Sequence, residues 1–224
     1  MTDPAGDEPM GIRPKETVSR GAEATLRVVD WMGLPALLKD REAKSYRPKS
    51  LDERLRRERT RTEARLLVEA RRLGVRTPIV YDIDTAHHRL LLERLTGPTL
   101  KELLDRSPDS PAPLLGPVRA FGAALGRLHA GGISHGDLTS SNVLFPSGEA
   151  APPALLDLSM GERNAGVEER GIDLHLVEED LKSLHPEGEA LFRAFLEGYE
   201  EANPVGSAAV RQRAKEIRSR VRYA

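Results

Sequence analysis

The chain has 224 residues, 39% of them hydrophobic and 31% charged, with a net charge of −1. That size and mixture suit one substantial core or two smaller lobes and exclude an intrinsically disordered chain. No apolar run reaches the length of a membrane span, the N-terminus lacks the order of a secretory signal, and the absence of cysteine excludes disulfides and thiolate chemistry. A cytoplasmic protein without membrane attachment is expected.

In chain order, residues 1–15 are rich in Pro, Gly and acid without periodicity and read as a loose, disordered arm. Glu16–Arg20, Thr25–Trp31 and Pro35–Lys39 read as three strands, separated by Gly21 and by Gly33-Leu34-Pro35. A long helix is expected from Leu51 to Leu73, stopped by Gly74 and followed by Pro78, with Leu55, Arg59, Glu63 and Leu66-Leu67 near one face. Pro78–Ile83 and His88–Glu93 complete a five-stranded first half. Leu95-Thr96-Gly97-Pro98 then crosses to a helical second half: Thr99–Arg106, Leu114–His129, Ile172–Leu184, Glu187–Tyr199 and Ser207–Arg222. Strands first and helices later predict an α+β, bilobal arrangement. Its expected parts are an N-lobe over 16–94, a C-lobe over 95–210 and a basic tail over 211–224.

Charge is unevenly distributed along this order. Residues 41–76 hold 13 Lys/Arg against 6 Asp/Glu (+7), residues 211–224 hold 6 against 1 (+5), and residues 160–201 hold 12 acidic against 4 basic side chains (−8). Such polarity fits an anionic polymer at one surface and a basic partner at another, or else solvated helix faces. Aromatic residues are too few for a base-stacking surface, so any RNA contact is expected to be non-specific and salt-sensitive.

The densest signal is His135-Gly136-Asp137-Leu138-Thr139-Ser140-Ser141-Asn142, with Leu155-Leu156-Asp157 beyond it. An Asp, an Asn five positions on, and a second Asp ending a short apolar run follow the order of a kinase-type catalytic loop. Phosphoryl transfer needs a carboxylate to orient the attacking hydroxyl, which suits Asp137. It also needs oxygen ligands for Mg²⁺ on the triphosphate of ATP, which suits Asn142 and Asp157. Lys39, ending the third strand, is placed to bind the phosphates, and Glu63 on the following helix is its natural ion-pair partner. The turn Gly21-Ala22-Glu23-Ala24 is expected over the phosphates, and the segment holding Glu93 and Leu95 is where an adenine would meet backbone groups.

On these residues the chain resembles the small atypical kinase of the KEOPS tRNA-modification complex. The resemblance runs from Gly21 to the C-terminus and includes Lys44-Ser45-Tyr46-Arg47-Pro48 before Leu51-Asp52, Arg59-Thr60 before Glu63-Ala64-Arg65, the His135–Asn142 octapeptide, and Gly171-Ile172-Asp173-Leu174. It implies a minimal protein-kinase-like fold with ATPase and autophosphorylating activity. It also implies support for a partner enzyme, the threonylcarbamoyl transferase, with the other KEOPS subunits and tRNA as associates. Under it, Lys39 binds phosphates, Glu63 holds Lys39, Asp137 is the catalytic aspartate, Asn142 and Asp157 hold Mg²⁺, and Asp173 supports the catalytic-loop backbone. The tail Arg211–Arg222 would reach toward nucleotide, partner or tRNA.

Departures from the usual kinase pattern shape the expectation. Gly136 stands where most kinases carry an arginine, only 15 residues separate Asp157 from Asp173, and Asp157-Leu158-Ser159 replaces Asp-Phe-Gly. A reduced peptide-docking platform and a constitutively assembled site follow. Aminoglycoside- or choline-type small-molecule kinases share His-Gly-Asp and the later Asn, but they need a larger helical acceptor region than the stretch after Asn142. A scaffold with vestigial activity is the remaining alternative.

Overall fold

The computed structural model describes residues 14–20 and 24–221, the former as backbone only. The expected arm, the turn residues Gly21, Ala22 and Glu23, and Arg222 at the tail lie outside the described residues. The protein is mixed α and β, with the strands of its large sheet drawn from the first half and most helices from the second. It divides into two compact units: residues up to 65 with 78–94, and residues 66–77 with 95 onward.

The first unit is an antiparallel sheet of β1 (Pro14–Arg20), β2 (Thr25–Trp31), β3 (Leu34–Asp40), β4 (Val80–Asp84) and β5 (Arg89–Glu93), in the order β1-β2-β3-β5-β4. Met32 and Gly33 both have positive φ (52° and 83°), which gives the two-residue turn whose twist matches a tight hairpin. β3 is central, with Lys39 opposite Leu26 on one side and Leu90 on the other. Val29, Ala36, Leu38 and Leu91 form the core beneath a stacked Trp31–Tyr81 pair, centroids 4.7 Å apart.

α1 (Lys49–Arg72) begins in this unit. Its buried Asp52 takes the Arg56 Nε–H at 2.7 Å and the Lys44 N–H at 3.3 Å. Burial alone would raise this carboxyl, but those hydrogen bonds and the charges of Arg56 and Arg47 hold it below its ordinary value. The last turns of α1 belong to the second unit, where Leu66, Leu67 and Ala70 are buried. They end in a Schellman motif: Gly74 (φ 76°) donates to Arg71 O at 3.1 Å and Val75 to Ala70 O at 3.0 Å.

The remainder of the second unit is helical. α2 (Leu100–Arg106) starts with a capping box between Thr99 and Glu102. α3 (Leu115–Ala130) crosses α5 (Gly188–Ala202) at close range. A methyl group on Gly122 would meet Phe195 O at 1.9 Å, and one on Gly198 would meet Arg119 O at 2.0 Å. Phe121 and Phe195 fill this crossing edge to face, centroids 5.0 Å apart. Four two-residue strands pair as two small ladders, β6 (Ile133–Ser134) with β9 (Glu162–Arg163) and β7 (Val143–Leu144) with β8 (Ala154–Leu155).

α4 (Val167–Leu184) starts five residues ahead of the expected Ile172, because Glu169 reaches back to accept the Gly166 N–H at 2.8 Å and caps an extra turn. α6 (Ser207–Val221) lies on α4. No helix among the described residues is long and apolar enough to cross a membrane.

Candidate active-site residues

In the first unit, β3 and α1 bring two cations to one carboxylate. Lys39 Nζ donates to Glu63 Oε1 at 2.7 Å, and Arg41 Nη2 donates to Glu63 Oε2 at 2.5 Å. All three side chains are buried, with Glu63 only 1% exposed. A buried carboxylate with a cation on each oxygen is held in one orientation, and removing it would leave two charges without their counterion. Arg41 was not anticipated, although it stands two residues past Lys39, where strand alternation returns side chains to the same face. Ala24, the described end of the expected phosphate turn, is buried. Glu93 pairs its backbone N–H with Ile79 O at 2.8 Å and accepts the Ile79 N–H on its carboxylate at 3.1 Å.

In the second unit, β6 leads into the loop, and Asp173 of α4 anchors it. Its Oδ2 accepts the His135 N–H at 2.6 Å, and its Oδ1 accepts the Gly136 N–H at 2.8 Å. Oδ2 is also 3.0 Å from His129 Nε2, whose Nδ1 lies 2.9 Å from the Tyr199 hydroxyl. Burial would raise the Asp173 carboxyl, but the His129 hydrogen bond and the neighbouring donors hold it below its ordinary value. Burial depresses His129 against the pull of Asp173. One assignment satisfies every contact: Asp173 ionised, His129 neutral with its proton on Nε2, and Tyr199 donating to Nδ1. Asn203 Nδ2 donates to the Tyr199 oxygen at 3.2 Å, and burial pushes the Tyr199 hydroxyl up to about 12. His129, Tyr199 and Asn203 carried no local sequence signal, since 44 and 70 residues separate His129 from its two partners.

Further along the loop, Asp137 is exposed. Asn142 Nδ2 donates to the Asp137 carbonyl at 2.8 Å, and Ser140 N–H is held by Asp180 Oδ2 at 2.7 Å. Leu156 N–H continues the β7–β8 pairing by donating to Asn142 O at 2.9 Å, so Asp157 comes one residue after the ladder partner of Asn142. Asp157 has φ 55°, a left-handed conformation uncommon for a residue with a side chain. Leu158 behind it is fully buried.

Gly136 has φ 81°, and a Cβ there would lie 2.1 Å from Met160 O. An arginine is therefore excluded from this position by backbone as well as by sequence. Leu95 opens the segment before α2 and is half-buried.

Asn142 suits a hard cation. Its amide nitrogen is committed to Asp137 O, while its Oδ1 takes no hydrogen bond among the described residues. With the Asp157 carboxylate it offers two oxygen donors. Mg²⁺ takes few protein ligands and completes its shell with phosphate and water, and no cluster of three His, Asp or Glu exists among the described residues.

The described arginines of the basic tail also have partners within the protein. Arg211 pairs with Glu200, Arg213 with Glu168, Arg218 with Glu178 at 2.5 Å, and Arg220 with Glu168 at 3.7 Å. These four side chains of α6 thus meet the acidic segment of their own unit while staying partly exposed.

Fold and loop together define an α+β protein whose polar loop residues stand in kinase order. No protein-family model matches the chain. It is 41% identical over 212 residues to a probable bifunctional tRNA threonylcarbamoyladenosine biosynthesis protein of Methanosarcina mazei, across 94% of this chain and 36% of that protein. A protein of the same description from Methanothermobacter thermautotrophicus is 34% identical over 212 residues. This chain spans little more than a third of the length of such relatives. Against the KEOPS complex subunit Bud32 of Pyrococcus abyssi it is 34% identical over 214 residues, covering 92% of this chain and 95% of that subunit. The chain belongs to the family of KEOPS complex subunit Bud32.

Proposed function

We propose that this protein is an atypical Mg²⁺- and ATP-dependent phosphotransferase and ATPase supporting threonylcarbamoyladenosine formation on tRNA. In this reading its two units are the lobes of a minimal protein-kinase-like fold. The observation that carries it is the fixed loop: Asp173 grips the His135 and Gly136 N–H groups while Asp137 stays exposed and Asn142 is tied back to it. A loop held this way keeps its carboxylate oriented without an activating phosphate, and Gly136 leaves no arginine to read one.

In the proposed mechanism Lys39, held by Glu63, binds the ATP phosphates. Asn142 Oδ1 and the Asp157 carboxylate would hold Mg²⁺, which would neutralise the developing phosphate charge. Asp137 accepts the proton of an attacking hydroxyl or water. The new P–O bond forms as the bond from the γ-phosphorus to the bridging oxygen breaks, and ADP leaves. Partners of the KEOPS type are proposed from the relatives' names, and the threonylcarbamoyl transferase among them from the resemblance of the motifs. Cytoplasmic residence accords with that role.

The test is Mg²⁺-dependent ATP turnover by wild type and Asp157→Ala, with and without the transferase and tRNA. Turnover lost in Asp157→Ala and stimulated by transferase and tRNA is the expected result. Turnover that instead requires an amino-alcohol or sugar acceptor overturns the reading in favour of a small-molecule kinase. Wild-type turnover no higher than that of Asp157→Ala overturns it in favour of a scaffold.

A further inference from the structure

Three arginines of the second unit converge on a cleft that none of the residues above uses. Arg71 in the last turn of α1, Arg76 just beyond it and Arg127 on α3 line an open cavity of about 450 Å³, walled opposite by Ser147 and Pro153. Arg71 Nη1 and Arg76 Nη1 donate to the same Thr77 carbonyl, at 2.5 and 2.8 Å, so one acceptor draws two guanidinium groups together. Arg127 runs beside Gly74, and its Nε is sealed from solvent with no hydrogen-bond partner. No acidic residue lines the cavity.

Many arginines elsewhere in the protein are paired. Arg41, Arg56, Arg57, Arg163, Arg211, Arg213 and Arg218 each meet a carboxylate. Among the described residues Arg71 and Arg127 meet none. Clustered cations without a counterion repel one another, and a buried guanidinium N–H without an acceptor costs free energy. Both penalties vanish if an anion completes the site.

We propose that this cleft binds phosphate groups. The guanidinium groups of Arg71 and Arg127 facing an open cavity match the three or more oxygens of a phosphate better than the two of a carboxylate. The volume admits a nucleotide-sized or diphosphate-sized ligand. Either a free oligophosphate or the phosphodiester backbone of an RNA supplies that chemistry.

The experiment uses the full chain in EDTA, which removes Mg²⁺-dependent nucleotide binding, so its outcome is independent of the proposed activity. Inorganic pyrophosphate is titrated by calorimetry and bulk tRNA by fluorescence anisotropy. The proteins are wild type, Arg127→Gln, Ser147→Asp and, as a control for the loss of one exposed positive charge, Arg106→Gln. Ser147→Asp places a carboxylate on the exposed rim and disturbs no core packing, so it stays informative if Arg127→Gln folds poorly.

The expected result is a loss of affinity of about tenfold or more in both cleft variants and none in Arg106→Gln. A loss seen with both probes identifies a general phosphate site, and a loss seen with tRNA alone assigns the cleft to phosphodiester. No measurable binding of either probe to wild type, or equal binding by wild type and Ser147→Asp, overturns the proposal.

Discussion

Replacing Asp173 with Asn tests the clamp on the loop with the smallest change of shape. Three donors aim at the buried carboxylate, from His135 N at 2.6 Å, Gly136 N at 2.8 Å and His129 Nε2 at 3.0 Å. An amide keeps one acceptor oxygen and turns an NH₂ group toward one of these donors. A hydrogen bond to a charged group contributes about 1.5–3 kcal/mol, and a buried donor left unsatisfied costs about 1–3 kcal/mol. The two effects together predict a loss of about 2.5–6 kcal/mol near neutral pH. With a urea slope of about 2–3 kcal/mol per molar, the unfolding midpoint falls by about 1–3 M.

The pH dependence supplies a second readout. Asp173 is held below its ordinary value of 3.8, so its stabilisation is complete above that value and is lost as pH falls through the lower folded value. Asparagine does not titrate. The gap between wild type and Asp173→Asn is therefore full at about pH 7 and closes below about pH 4. A midpoint within about 0.2 M of wild type at neutral pH would refute the reasoning, as would a gap that keeps its full size under acid.

Other outcomes follow from neighbouring contacts. Glu63→Ala strands Lys39 and Arg41 in a buried setting and should lower stability by about 3–5 kcal/mol in urea unfolding. Lys39→Met leaves the Arg41–Glu63 pair standing, so it should destabilise far less while abolishing ATP turnover; equal destabilisation of the two variants contradicts this. Gly136→Ala introduces a Cβ at 2.1 Å from Met160 O in a left-handed conformation, and thermal denaturation should show a loss of about 2 kcal/mol or more. Tyr199 should ionise late, at about 12, when phenolate absorbance is followed with rising pH. Tyr199→Phe should remove that late step, and an unchanged titration curve would show that another tyrosine is responsible.

The order of elements was legible because Gly and Pro punctuate it. Thr25–Trp31 lies between Gly21 and Gly33, and Gly74 ends α1 through its positive φ. The start of α4 was not legible from apolar periodicity, because its first turn carries Glu168, Glu169 and Arg170; the cap signal at Glu169 was the one to follow. The β6–β9 ladder is two residues long and leaves no alternating pattern to find.

The proximity of Lys39 to Glu63 could be read from a lysine ending a strand and an acid on the next helix. Arg41, the second cation on the same carboxylate, could have been found by counting two residues along the strand. His129 and Tyr199 could not, because the carboxylate and hydroxyl that define their places arrive from distant helices. The ion pairs of the tail were hidden for a related reason: its excess positive charge was visible locally, while the glutamates opposite it become neighbours only through the packing of α4, α5 and α6.

Those glutamates make α6 a helix that carries its own counterions. Glu168, Glu178 and Glu200 already occupy the arginines that a polyanion would seek, so an RNA arriving there must exchange with carboxylates instead of with dissolved salt ions. Because resident carboxylates stay on the protein, that exchange releases few mobile ions and gains little of the entropy that normally drives nucleic-acid binding. The acidic segment thus acts as a built-in competitor. Neutralising it at Glu178 or Glu168 would leave α6 arginines without these resident counterions, without adding a single positive charge.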